Sequence, residues 1–146
     1  MKNSFAELLD RDLKKLSDEL QGYADEKLIW KTVDGISNSA GNLTLHLCGN
    51  LRHFIGATIG HDGYVRNREA EFSTKNISRQ KLLAEIELTR QVVTETLTSM
   101  KDDIMKNDYP LNVLGEVKST EFFLTHLVAH LNYHLGQINY HRRLVH

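Results

Sequence analysis

Residues 126–141 read HLVAHLNYHLGQINYH. Around this stretch Leu124, Leu127, Leu131, Leu135 and Ile138 recur at steps of three and four, which places them on one stripe of a helix. Ser119 or Thr120 offers an N-cap, Glu121 an acid for the first turn, and Arg142 and Arg143 suit a C-terminal end. The spacing therefore predicts a helix from about Thr120 to Arg143. A single apolar stripe of that length is stable in water only when other elements cover it.

Three upstream segments can do so. From Ser4 to about Tyr23, Phe5, Leu8, Leu9, Leu13, Leu16 and Leu20 hold helical spacing, with Gly22 at the end and Lys15, Asp18 and Glu19 on the solvated face. From about Ser39 to Ile59, the stripe is Leu43, Leu47, Leu51, Phe54 and Ile55, bordered by Cys48 and stopped by Gly60 and Gly63. The third helix begins at the N-cap Ser78 and is predicted to run to about Asn107 through Leu82, Leu83, Ile86, Val93, Leu97, Met100 and Ile104. The one proline, Pro110, lies in the last connection. Trp30, in the first connection, is expected to fold back over the core. The linker from His61 to Ile77 shows no sustained period and exceeds a tight turn, which indicates a crossover. The expected architecture is all-α, a single four-helix-bundle domain over residues 1–146 with a long crossover between helices 2 and 3.

Composition narrows the functional classes. The chain has 146 residues, 40% hydrophobic and 25% charged, with a net charge of −1. One cysteine excludes an internal disulfide framework and a thiolate-cluster zinc site within one chain. Balanced charge argues against nucleic acid as the main partner, since phosphate binding needs a basic face. No apolar run approaches a membrane span, and MKNSFAELLDRDLKKL lacks the apolar core of a signal peptide. A soluble cytoplasmic protein is the expectation.

The eight histidines are the informative feature. His126, His130 and His134 follow at i, i+4 steps, and such a pair presents two imidazoles on one face. Each step of four rotates about 40° around the axis, so the three cannot all converge easily. Against the core direction, His130 and His134 face the interior and His126 the rim. On the second helix His46 flanks the stripe, with Asn50 one turn on. The set His46, His130 and His134 is therefore the candidate metal site, with Asn50, His126, Tyr133 and Gln137 around it. The plainer reading is polar side chains bordering a core, the commoner outcome of such spacing. His53, His61, His141 and His146 are read as surface or boundary residues, and Cys48 as a packed thiol. In the linker, RNREAEF offers Arg66, Arg68, Glu69 and Glu71. Mutual pairing is the commoner reading; the sharper one puts Arg66 or Arg68 at the rim of the site, holding an anionic substrate group.

Three runs carry a resemblance: GNLTLHLCGNLRHFIG at 41–56, RNREAEF at 66–72 and HLNYHLGQI at 130–138. Together with the helix order they resemble the DinB-like (YfiT-like) family of metal-binding four-helix bundles, over essentially the whole chain. The most specific element is His130, His134, Gly136, Gln137 and Ile138 in the last helix. The resemblance implies up-down-down-up topology, a divalent ion such as zinc or nickel on three histidines with His46 as the third, and a homodimer. It also implies an enzyme that attaches a small-molecule thiol to an electrophile. No carboxylate stands out in the sequence as a general base, which favours transfer over hydrolysis. The alternative is a non-enzymatic dimerising bundle with a structural or vestigial metal site.

Overall fold

The computed structural model describes residues 1–146. Its helices are α1 (Lys2–Gln21), α2 (Ala40–Leu51), α3 (Arg68–Ser73), α4 (Arg79–Ser99) and α5 (Thr120–Leu144). α1, α2, α4 and α5 are the four helices that apolar spacing predicts. Ser39, Ser78 and Ser119 cap α2, α4 and α5 through the amides of Asn42, Lys81 and Phe122, each cap contributing about 1 kcal/mol. No helix is long and apolar enough to cross a membrane.

Ion pairs and polar contacts between helices define their directions. Asp10 of α1 meets Arg90 of α4, while Lys2 lies at Met100 and Arg79 at Tyr23, so α1 and α4 run antiparallel. Asp12 meets Asn132, and Glu19 meets both Asn139 and Arg142, so α1 and α5 run parallel. Arg52 beyond α2 pairs with Glu85, and Gly56 faces Val92, so α2 follows α4. Phe54 packs on Phe123 whereas His46 packs on His130, so α2 opposes α5. The order is up-down-down-up.

Leu9, Leu13, Leu16 and Leu20 of α1, Leu47 and Leu51 of α2, Leu82, Ile86 and Leu97 of α4, and Leu124, Leu127, Leu131 and Ile138 of α5 are fully buried. Removing one such side chain costs about 2–5 kcal/mol, whereas a partly exposed pair such as Asp10–Arg90 contributes about 1 kcal/mol or less. Packing therefore supplies the stability, and the polar contacts fix register. Asp12, fully buried, accepts from Asn132 Nδ2 at 2.7 Å and Arg11 Nε at 2.8 Å, which ties α1 to α5 at one level.

The structure departs from the sequence reading in four places. The third helix stops at Ser99 and the chain turns through a 3-10 stretch at Asp102–Lys106 instead of continuing to Asn107. Thr98 and Ser99 bond back to the carbonyls of Thr94 and Glu95, which competes with the helix ladder at that end. Met100 and Met105 remain buried, so the apolar spacing persists after the helix has ended. After α2 the chain widens into a π-helical stretch, Arg52–Ala57, with Thr58 N bonded to His53 O. There Tyr109 stacks on Phe123, ring centroids 4.0 Å apart, and its hydroxyl donates to Phe54 O at 2.6 Å. The linker contains α3, capped by Asn67, where the sequence shows no helical period. His141, read as a surface or boundary residue, is buried: Tyr23 Oη lies 2.7 Å from its Nδ1 and Lys31 O 2.7 Å from its Nε2.

Trp30 does fold back. Its Nε1 donates to Ile77 O at 3.0 Å, and its ring lies where a Cβ on Gly41 would sit, 2.7 Å away.

Candidate metal centre

His46 projects from α2 and is 6% exposed; His130 and His134 project from α5 and are partly buried. One ring nitrogen from each lies within 4.8 Å of the others, a group that could hold a metal ion. The rings meet edge to face, with centroids 5.1 Å apart for His46–His130, 5.2 Å for His46–His134 and 4.7 Å for His130–His134.

Hydrogen bonds behind the rings set which nitrogens are bare. His46 Nδ1 lies 3.0 Å from Glu71 Oε1, so Nδ1–H donates to the carboxylate and Nε2 keeps its lone pair. His134 Nδ1 donates to Gln137 Oε1 at 2.7 Å, which leaves its Nε2 bare as well. His46 Nε2 and His130 Nε2 stand 3.2 Å apart. Two lone pairs at that distance repel unless a proton or a cation lies between them. His130 Nδ1 is buried without a partner, as is Asn50 Oδ1 one turn beyond His46 on the same helix. Burial, then the neighbouring His134 and His46, push the His130 imidazole down to about 4. Burial also lowers His134. His130 and His134 are thus preset as neutral imidazoles, and the bare nitrogens of the group suit a divalent ion.

Glu71 is the residue that sequence reasoning missed. It comes from α3, is 6% exposed, and accepts from Arg66 Nε at 2.8 Å and Arg66 Nη2 at 2.9 Å as well as from His46. Burial raises its carboxyl, but the bonds from His46 and Arg66 outweigh that and hold it below the usual carboxylate range. Gly49 makes room for it: a Cβ there would lie 1.9 Å from Glu71 Oε2. A glycine inside α2, one turn from His46, is the sequence signal that could have pointed to it.

The remaining expected residues separate. Arg66 pairs with Glu71 and also reaches within 3.3 Å of His46 Nδ1, so it buttresses the site. Arg68 is exposed, makes no ion pair and lies over Phe72, whose ring packs on His46. His126 stacks near His130, ring centroids 6.1 Å apart. Tyr133 is 65% exposed and touches His134 edge-on. Gln137 holds His134. Cys48 is buried, and burial pushes its thiol up to about 12.

Fold and site together define a helical bundle whose facing helices α2 and α5 carry a three-histidine group able to hold a metal ion. The chain belongs to the family described as "Protein of unknown function (DUF1572)", matched over residues 3–146. No curated protein and no solved structure matches it.

Proposed function

We propose that this chain is a divalent-metal-dependent enzyme of the DinB-like kind, with zinc or nickel held by His46, His130 and His134, that joins a low-molecular-weight thiol to a small electrophile. The observation that carries the reading is the orientation of the imidazoles: Glu71 and Gln137 fix the tautomers of His46 and His134 so that bare nitrogens converge with His130. Carboxylate or amide support behind a ligating histidine is the usual way a protein sets ring direction and basicity.

When bound, the ion supplies Lewis acidity that lowers the pKa of a thiol or water. The chain's own residues do the rest. Glu71 accepts from Nδ1–H of His46, which directs the ring and turns its Nε2 toward the other two histidines. Arg66 compensates the buried carboxylate, so Glu71 stays ionised without drawing the imidazole proton across. His130 stays unprotonated through its buried setting. No acid but Glu71 bonds to the group, and its oxygens are occupied, which favours thiol transfer over a carboxylate-driven hydrolysis. The proposal includes a single domain, homodimerisation and a cytoplasmic location, the first two supported by the resemblance and the third by the lone cysteine.

Elemental analysis of protein purified without chelator tests the metal. We expect about one zinc or nickel per chain, lost in His130→Ala, with thiol consumed in the presence of an aryl halide electrophile by the loaded protein only. Protein free of metal, or loaded protein that consumes no thiol beyond the blank, refutes the reading.

A further inference from the structure

A cavity of about 870 Å³ lies between the first connection, α2 and α5. Leu43 and Gln137 line it. Leu43 stands one turn before His46 on α2, and Gln137 one turn after His134 on α5. Because the two helices run antiparallel, both steps lead to the same end of the bundle, which puts the cavity about one helical turn from the histidines. Gln137 belongs to both places, since its Oε1 also accepts from His134 Nδ1 at 2.7 Å.

The lining has a definite chemistry. Ile36, Leu43, Tyr140 and Leu144 supply apolar wall. No Asp or Glu lines the cavity, and Arg143 does. Arg143 makes no ion pair and stands over the Tyr140 ring, 5.1 Å from its centroid. His141 contributes shape only, because Tyr23 and Lys31 occupy both of its ring nitrogens. One uncommitted cation above an apolar wall, with no acid to oppose it, selects an apolar body bearing a single negative group.

We propose that this cavity is a subsite for a small apolar carboxylate, its anion on Arg143 and its other end directed past Gln137 toward the histidines. The subsite deepens the function proposed above and rests on it for the chemistry at that far end; the binding itself is read separately.

The test uses the full chain with 4-phenylbutyrate as probe and 4-phenylbutyramide as its neutral match, followed by calorimetry, with metal content measured on the same samples. The acid is expected to bind at least about tenfold tighter than the amide, as one charge-assisted contact dictates. Arg143→Gln removes that preference; the side chain is exposed and unpaired, so the fold is unaffected. Absence of saturable binding, equal affinity for acid and amide, or a preference for the acid that survives Arg143→Gln overturns the subsite. Protein that takes up zinc yet ignores the probe overturns the subsite alone. Protein that binds the probe through Arg143 but takes up no metal supports the subsite and overturns the metal reading.

Discussion

Glu71→Gln isolates the support behind the histidine group. The native carboxylate takes three hydrogen bonds, at 3.0 Å from His46 and at 2.8 and 2.9 Å from Arg66. Glutamine keeps the shape but turns one acceptor into a donor, so an N–H of Arg66 or His46 must face another N–H. Removing one partner of a buried ion pair costs about 3–5 kcal/mol. His46 can still donate to the remaining oxygen and the Arg66 side chain keeps 12% of its exposure, so the expected loss is about 2–3 kcal/mol. With a urea slope of about 2 kcal/mol per molar, the midpoint falls by about 1 M at unchanged slope. Zinc affinity, followed by competition with a chromophoric chelator, falls about 10–100-fold. The Glu71 carboxyl titrates below its ordinary value of 4.5 in the folded protein. Its contribution is therefore present above the unfolded value and disappears as pH falls through the folded one. The stability gap between wild type and variant should close in acid. A variant within about 0.3 M of the wild-type midpoint at pH 7 and within twofold in zinc affinity would refute the assignment of Glu71 as the positioning residue.

Other perturbations probe neighbouring parts. Gly49→Ala places a Cβ 1.9 Å from Glu71 Oε2, and should lower stability by about 2 kcal/mol and weaken zinc binding as Glu71→Gln does, although alanine favours a helix. For metal-free protein, His130 falls from 6.5 to about 4 on folding. The unfolded chain then holds more protons between those values, so stability should drop as pH falls from 6.5 to 4, by about 2 kcal/mol once partial exposure is allowed for. His130→Gln flattens that slope. Cys48, buried with its thiol pushed up to about 12, should resist iodoacetamide at pH 8 in native protein and react at once in urea. Fast native labelling contradicts its packing.

How much of this was legible in sequence depends on the range of the interaction. The stripes through Leu9 to Leu20 and Leu124 to Ile138 are local periodicities, and they located the helices. His46, His130 and His134 were selectable because each borders such a stripe. Glu71 was not, since RNREAEF shows only that acids and arginines are close in sequence. Which of them turns inward depends on where the crossover lands on α2. His141 was misplaced for a related reason: its partners are a tyrosine and a carbonyl of the first connection, far away in sequence. The end of α4 escaped because Met100 and Ile104 keep the spacing of a helix after Thr98 and Ser99 have drawn its carbonyls away.

His46 and His130 are 84 residues apart in the chain. An ion joining them would close a loop spanning more than half of the sequence, with two of its three anchors on the final helix. A chain lacking α5 presents only one of the three imidazoles of the group, His46, and would hold no ion there firmly. Loading would then favour chains in which α2 and α5 are paired, and mass action would shift the folding equilibrium toward them.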